Sequence, residues 1–397
     1  MRTLSLLVLP FALACDVPSA SFDGRFGTVS RQPLPMVPDA SVACQPALPA
    51  LVVDVPGGRA ARVAFVGEAV AVASVKDAGV EVQVITPGRA AVVRSFPGAV
   101  ANLSLGTSGS VLGVAWDTAS VDSSVHFAVV DTVSGVASEP SQLSPSLGRS
   151  QEPVTAREPR VAARDSGFFV AWVDGRYQEP RGSGNLFGWW GLYGRAVDLL
   201  GESRGPDVQI VQTSGGSRTF DVTSSGTEWL TVWLTDSSPP SVSGRFSGTG
   251  YTPRGEPAPY AVLSERSGSG FVRLAAGADG RVLAAVPLAS STGAPRVGTI
   301  VVSRSGASSF TTWPEPEVSV SALAATSGGY VAVALPTLWQ LDTEGRRVRS
   351  QALALDGLGA GDIGEVSVSV AGQRVSLVFT LVTSAGFSVW SAAECLP

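Results

Sequence analysis

The chain has 397 residues, 44% of them hydrophobic, which is enough apolar material for a large core. Its net charge of −5 and its pI near 5.1 exclude the basic surface that nucleic-acid-binding proteins use, so we expect no nucleic-acid partner. The one uninterrupted apolar run, at the N-terminus, is too short to cross a bilayer.

The first 14 residues predict a bacterial export signal. Arg2 precedes an apolar stretch over residues 4–13, and Ala12 and Ala14 suit a peptidase that cuts before Cys15. A cysteine at that point is typical of a lipoprotein, although lipoproteins usually carry leucine where this chain has Ala12. We therefore expect Cys15 to be lipidated and to hold the protein on a membrane of the cell envelope by that lipid alone. A secreted protein cut by the general signal peptidase is the alternative.

Residues 15–43 follow as a tether. They are rich in proline and serine and have no hydrophobic periodicity, which is typical of a flexible linker. Over residues 44–397 the pattern changes to short runs of valine, alanine and leucine between clusters of glycine, serine, proline and aspartate. This pattern indicates strands and turns, so we predict a β-domain over residues 44–397.

A strand–turn–strand pattern recurs along this domain. It is most complete in PRVAARDSGFFVAWVDGR, residues 159–176, with strands over 160–163 and 168–173 and a turn that ends at Gly167. Six other stretches align with it, at residues 61–75, 101–116, 219–236, 272–286, 320–335 and 364–379. The β-domain therefore contains seven copies of one unit.

A second turn marker lies downstream within several copies. Asp131, Asp198 and Asp342 each follow an apolar strand, and each precedes a glycine by a few residues. Aspartate can bond the turn backbone, while glycine supplies a positive φ. Two hairpins per copy make a four-stranded unit that cannot bury both faces alone, so the copies must stack. Arranged radially, they form an all-β, seven-bladed β-propeller of four-stranded antiparallel blades.

The seventh copy has room for three strands only, at residues 364–371, 374–382 and 386–392. The stretch 50–57, upstream of the first copy, can supply the missing outer strand. Pairing of the two chain ends would close the ring and remove exposed sheet edges. We predict that this N-terminal strand completes the last blade.

Residues 159–201 carry the pattern P-x-V-A, then G-F-F-V-A-W-x-D-x-R, then L-Y-G-R-A-V-D-x-x-G. This pattern resembles a repeat of exported bacterial β-propeller proteins and lipoproteins. Only the third copy keeps it in full, and the likeness covers most of residues 50–392. The resemblance implies the propeller fold and a binding or scaffold role rather than a reaction.

The cysteines support the same closure. If Cys15 carries lipid, Cys44 and Cys395 remain as a pair at the two ends of the ring. An exported protein meets an oxidising compartment in which disulfides persist. We predict a Cys44–Cys395 disulfide, with two free thiols as the alternative.

Catalytic motifs are scarce. His126 is the only histidine and lies in an alternating strand, so it cannot build a multi-histidine zinc site and is interpreted as a surface or structural residue. Residues 201–205 match G-x-S-x-G but lie in a turn between strands, whereas that motif needs a strand-to-helix elbow. We name no catalytic residue and expect no metal and no cofactor.

The long insertion of the third copy, residues 174–195, is the candidate ligand-binding surface. Arginine and aromatic side chains of this kind anchor interfaces and stack on sugars. The candidates are Arg176, Tyr177, Arg181, Phe187, Trp189, Trp190 and Tyr193. The alternative is that the last three pack between blades and that Arg176 pairs with Asp174 in a turn. A binding role requires Trp189 and Trp190 to be at least partly exposed.

Three functions are consistent with these features. The leading one is a non-enzymatic, envelope-anchored propeller, expected as a monomer, that binds a protein or a glycan. The second is a carbohydrate-active enzyme with acidic residues at the mouth of the central channel, and the third is an envelope-assembly factor, by analogy of fold. A converging cluster of carboxylates and arginines at that mouth would favour the enzyme.

Overall fold

The seven predicted units are seven antiparallel sheets in the computed structural model. The structure describes residues 44–120, 122–145, 155–178, 188–213, 219–226, 228–235, 241–247, 256–262, 271–289, 295–303, 306–307, 310–314, 319–355, 358 and 361–396. This part of the chain contains 29 strands and no α-helix, so it has no helical segment that could cross a membrane.

The strands follow one another blade by blade. β1 (Ala47–Pro56) precedes the first blade. Blade 1 contains β2 (Ala61–Val66), β3 (Ala69–Lys76), β4 (Gly79–Ile85) and β5 (Val92–Pro97). Blade 2 contains β6 (Val100–Ser108), β7 (Val111–Thr118), β8 (Val125–Asp131) and β9 (Ser141–Gln142). Blade 3 contains β10 (Ala156–Arg164), β11 (Gly167–Gln178), β12 (Gly188–Val197) and β13 (Val208–Thr213).

The next three blades repeat this order. Blade 4 contains β14 (Phe220–Ser225), β15 (Glu228–Thr235), β16 (Ser241–Ser247) and β17 (Glu256–Val262). Blade 5 contains β18 (Arg273–Ala276), β19 (Val282–Ala289), β20 (Pro295–Ser303) and two short outer pieces on β20, β21 (Gly306–Ala307) and β22 (Thr311–Thr312). Blade 6 contains β23 (Ala322–Thr326), β24 (Gly329–Ala334), β25 (Thr337–Leu341) and β26 (Arg347–Ala352).

Blade 7 is completed by the N-terminal strand, as predicted. It contains β27 (Asp362–Ala371), β28 (Arg374–Thr383) and β29 (Gly386–Cys395), with β1 antiparallel to β29 as the outer strand. The first strand of each blade contacts the first strand of the next, and β27 contacts β2. The ring is therefore a closed seven-bladed β-propeller.

The core lies between the blades. In the described residues there are seven buried apolar clusters, one at each blade interface. The cluster at the closure joins Val63 and Val72 of blade 1 to Val378 and Phe387 of blade 7. Because neighbouring blades cover both faces of a sheet, second strands such as β3 and β19 are buried almost from end to end rather than in alternation.

The aspartate–glycine markers form the turns between third and fourth strands. The Asp198 Oδ1 accepts hydrogen bonds from the backbone of Leu200 and Glu202, each at 2.9 Å, and Gly201 has a φ of +88°. Gly201 packs against Ser138 of blade 2, so a side chain there would collide with the neighbouring blade. These turns therefore shape a blade and also fit it to the preceding one.

The W-x-D-x-R element is a small hydrogen-bonded unit at the end of β11. The buried Asp174 carboxylate accepts from the Trp172 indole at 3.0 Å and from the Arg176 guanidinium at 2.6 Å. Its other oxygen accepts from the Arg176 backbone at 2.8 Å. The Asp174 carboxylate thus gives the Trp172 indole and both the backbone and the guanidinium of Arg176 an acceptor, which explains these residue types.

The two predicted cysteines meet at the closure of the ring. Cys44 and Cys395 form a disulfide with their Cα atoms 5.8 Å apart and a separation of 351 positions in sequence. Cys395 is the last residue of β29, and Cys44 stands just before β1, its partner strand. The disulfide therefore joins the two strands whose pairing closes the propeller.

Candidate functional site

The central channel has two different ends. The hairpin turns that follow the inner strands of blades 2 to 7 line one cavity of about 1000 Å³, so these inner strands run in the same direction through the ring. Small residues such as Gly109, Ser166 and Gly226 dominate this hairpin end. The opposite end, where the inner strands begin, opens into a cavity of about 490 Å³ that carries charged side chains.

These charged side chains and one aromatic ring form a cluster that we call the arginine mouth. It consists of Arg62, Arg160, Asp221, Phe271, Arg273 and Glu365. Four of them, Arg62, Asp221, Phe271 and Arg273, lie within two residues of the start of an inner strand, whereas Arg160 and Glu365 are the fifth and fourth residues of β10 and β27. The six residues come from blades 1, 3, 4, 5 and 7. The closed ring is what brings these sequence-distant groups to one cavity.

Backbone carbonyls hold the three guanidinium groups in place. The Nε of Arg62 donates to the Leu103 carbonyl of blade 2 at 3.0 Å, and the Nε of Arg273 donates to the Ser321 carbonyl before blade 6 at 2.9 Å. The Nη1 of Arg160 donates to its neighbour Pro159 at 3.0 Å. Among the described residues, both terminal nitrogens of Arg273 remain without a hydrogen-bond partner.

The two carboxylates of the mouth have different environments. Glu365 accepts from Arg62 at 3.1 Å, an ion pair with both side chains about three-quarters buried. Asp221 accepts backbone hydrogen bonds from Val222 at 2.9 Å and Leu274 at 3.2 Å. Burial raises the pKa of Asp221 above its usual value, although the charges of Arg273 and Arg160 act in the opposite direction.

Phe271 places an aromatic ring among these charges. Its residue surface is 48% exposed, and its ring centroid lies 5.1 Å from the guanidinium carbons of both Arg160 and Arg273. Arg160 also lies 5.7 Å from the ring of Phe220. These cation–π contacts fix the direction of the guanidinium groups at the mouth.

Three inner strands carry a register irregularity near their first residues. The irregular steps lie at Val100/Leu103 in β6, Arg157/Arg160 in β10 and Ile363/Val366 in β27. Bulges of this kind redirect side chains and are common beside binding sites. The bulge of β27 contains Glu365, and that of β10 comes directly before Arg160.

Asp117 fixes the bulges of β6 and β10 together. It is fully buried and accepts from the backbone and the side chain of Asn102, at 2.6 and 2.8 Å, and from the backbone of Glu158 at 2.8 Å. Glu158 has a φ of +57°, a strained conformation for a side chain that is not glycine. Asp117 is therefore a positioning residue for the strand start that carries Arg160.

The third-blade insertion is only partly described. Backbone pairing joins Tyr177 to Trp189 at the end of the long β11–β12 hairpin. Arg181 and Phe187 lie outside the described residues. Trp190 is half-buried and packs against the apolar cluster between blades 3 and 4.

The two remaining candidates of the insertion, Arg176 and Tyr193, have structural contacts. Tyr193 is 3% exposed, and the guanidinium carbon of Arg176 lies 3.7 Å from its ring centroid. Arg176 also forms ion pairs with Asp174 and Asp207. Burial alone would lower the pKa of Arg176, but these two carboxylates raise it. These contacts are of the kind that the structural alternative describes for the two residues, and a ligand-binding role for the insertion stays a prediction.

His126 has the structural role that was one of the two expected from the sequence. Its ring stacks on Trp116 with centroids 5.8 Å apart, and its Nε2 lies 2.9 Å from the Ser124 hydroxyl. Burial lowers its pKa, so the neutral form predominates near neutral pH.

The sequence interpretation did not identify the arginine mouth. A signal was present, because the second or third residue is charged in five of the seven aligned copies. These residues are Arg62, Arg160, Asp221, Arg273 and Glu365, whereas the second and sixth copies have Asn102 and Ser321 as their second residue. Comparing equivalent positions of the copies would have placed the five charged residues at one end of the channel.

Comparisons with known proteins show the fold and no family. No family model and no curated protein matches the chain. Among solved structures, the polysaccharide lyase Uly1 is 8% identical with a TM-score of 0.53, over 85% of this chain and 90% of its own. The propeller domain of the trilobed protease from Pyrococcus furiosus is 11% identical with a TM-score of 0.46, over 85% of this chain and 98% of its own. At these identities, the lyase likeness shows the propeller fold alone.

A sialidase from Trypanosoma rangeli is also similar, at 8% identity and a TM-score of 0.46, over 85% of this chain and 55% of its own. This chain thus spans about half the length of the sialidases that it matches. A likeness this distant assigns no activity to the arginine mouth.

Proposed function

We propose that this protein is a non-enzymatic binding propeller, exported and held on the bacterial cell envelope by a lipid on Cys15, whose ligand site is the arginine mouth. The observation that supports this proposal is the convergence of Arg62, Arg160 and Arg273 at one cavity, with guanidinium nitrogens that have no hydrogen-bond partner within the described part of the chain. Arginine forks held in this way are suited to binding acidic groups.

The carboxylates favour binding over hydrolysis. Cleavage of a glycosidic bond commonly uses two carboxyl groups, one as acid and one as base or nucleophile. At the mouth, Glu365 is paired with Arg62, which leaves Asp221 as the one carboxyl group outside an ion pair. The arginines outnumber the acids, so the site favours an anionic ligand.

Capture from envelope extract tests this proposal. The full chain, Arg273→Gln and Arg281→Gln are immobilised, and the retained molecules are identified by mass spectrometry. Arg281 is the matched control because it lies in the same blade but in the turn at the hairpin end, paired with Asp279 at 2.6 Å. We expect one class of ligand to be retained by the wild type and Arg281→Gln and lost with Arg273→Gln. Equal retention by all three would overturn the assignment of the site.

The anchor is tested separately. Cys15→Ser is expected to release the protein into the soluble fraction or to stall its processing. A wild-type protein that is already soluble and unlipidated would favour the secreted alternative.

A carbohydrate-active enzyme is the second candidate, and a specific observation favours it. Carboxylates and arginines do converge at the channel mouth, and burial raises the pKa of Asp221, as a general acid requires. If the captured ligand is a glycan that is shortened over time by the wild type but not by Asp221→Asn, this candidate replaces the first.

A further inference from the structure

We infer that the arginine mouth recognises the carboxylate of an acidic sugar, such as a uronic or nonulosonic acid residue of a glycan. This inference rests on the proposed function, because it names the chemical class of ligand that the same site would take.

The charge of the mouth indicates an anion with a single negative charge. With Asp221 ionised, three guanidinium groups face two carboxylates, which leaves an excess of one positive charge. A sugar carboxylate carries one negative charge at neutral pH, whereas a phosphate monoester carries between about 1.5 and 2. A carboxylate therefore balances the mouth, and a phosphate monoester would exceed it.

The mouth holds arginine donors from which a carboxylate can accept hydrogen bonds. Among the described residues, Arg273 uses only its Nε on protein, so its two terminal nitrogens point to no protein acceptor. In the same set of residues, Arg160 donates to protein through Nη1 only, and the Nη2 of Arg62 donates to no protein acceptor. Planar guanidinium groups bind both oxygens of a carboxylate at once, which gives directional recognition as well as charge.

Phe271 favours a sugar over an acidic peptide. Half of its surface is exposed, and Arg160 and Arg273 flank it at 5.1 Å. An aromatic surface next to the anion site can cover the apolar C–H face of a pyranose ring while the carboxylate reaches the guanidinium groups. The cavity of about 490 Å³ has the size of small-molecule sites and would accept one or two sugar residues.

Calorimetric titration of the full-length protein tests the inference. The probes are trigalacturonate, a hyaluronan tetrasaccharide, trimannuronate and N-acetylneuraminate, with methyl-esterified trigalacturonate, glucose 6-sulfate and triglutamate as comparisons. We expect at least one carboxylated sugar to bind, and its methyl ester to bind about tenfold more weakly or worse. Arg273→Gln should lose about tenfold in affinity, Phe271→Leu several-fold, and Arg281→Gln should match the wild type.

Three results would overturn the inference. These are no binding of any of the four carboxylated sugars at about 10 mM, equal binding of the methyl ester, or tighter binding of triglutamate or the sulfated sugar. Any of these results together with Arg273-dependent capture from envelope extract would refute the acidic sugar but keep the binding site. Capture from envelope extract that does not depend on Arg273 would refute the proposed function itself.

Discussion

Arg62 in the first blade and Glu365 in the last form an ion pair of 3.1 Å across the closure of the ring. The same two side chains belong to the arginine mouth, so the interface that closes the propeller also shapes the candidate site. Because each side chain keeps about a quarter of its surface in solvent, the pair contributes at most about 1 kcal/mol to stability. Its larger effect is on the charge that a ligand meets.

Substitution of the two partners should therefore change ligand affinity in opposite directions. Glu365→Gln removes a competing carboxylate from Arg62, and we expect it to strengthen binding of an anionic ligand several-fold. Arg62→Gln removes a donor and should weaken binding. Isothermal titration of the wild type and both variants with the same anionic ligand measures these changes in affinity. A change of affinity in the same direction in both variants would show that the ion pair acts only on the fold.

The Cys44–Cys395 disulfide should be a major source of stability. Its loop of 351 residues is long, and loss of a native disulfide typically costs about 2–5 kcal/mol. The double variant Cys44→Ser/Cys395→Ser should unfold at a clearly lower urea concentration than the wild type. Thiol titration of the denatured, unreduced wild type is the direct check, since finding both thiols free would refute the bond.

Asp117→Ala should destabilise the fold by about 1–3 kcal/mol, because three part-buried donors lose their buried acceptor. Asp77→Ala is the control, since Asp77 is fully exposed and should change stability by no more than about 0.5 kcal/mol. Urea unfolding measures both variants. Equal urea midpoints for Asp117→Ala and Asp77→Ala would mean that Asp117 does not hold the bulges of β6 and β10.

Ligand binding should depend on pH through Asp221. Burial raises its pKa, so the carboxyl becomes neutral at a higher pH than an ordinary aspartate does. Below that raised pKa the mouth carries one negative charge fewer, and the affinity for an anion should increase. As the pH rises through it, the affinity should fall. Asp221→Asn should remove this dependence over the same range, and an unchanged pH profile in that variant would assign the titration to another group.

Much of the fold could be predicted from the sequence because the signals are local and repeated. The turn at Gly167, the marker at Asp198 and the missing strand of the seventh copy each follow from backbone chemistry within a few residues. The closure of the ring by β1 could also be predicted, because an open ring would leave an unpaired sheet edge next to Cys395.

The arginine mouth could not be predicted in the same way. Arg62, Arg160 and Arg273 stand in three different blades, and each is unremarkable within its own strand. Only the closed ring places them at one cavity. Conversely, the insertion at residues 174–195 has a conspicuous composition, but Tyr193 is used for packing and Arg176 for pairing with Asp174 and Asp207. Composition along the chain thus drew attention to the insertion rather than to the mouth.

Arginine footprinting tests the central claim most directly. The full-length protein is treated with phenylglyoxal in the presence and absence of the envelope ligand that it retains, and the modified peptides are quantified by mass spectrometry. The arginine mouth predicts that the ligand protects Arg62 and Arg273 and leaves Arg281 as reactive as before. Protection confined to Arg176 and Arg181 of the third-blade insertion would contradict it and place the ligand there.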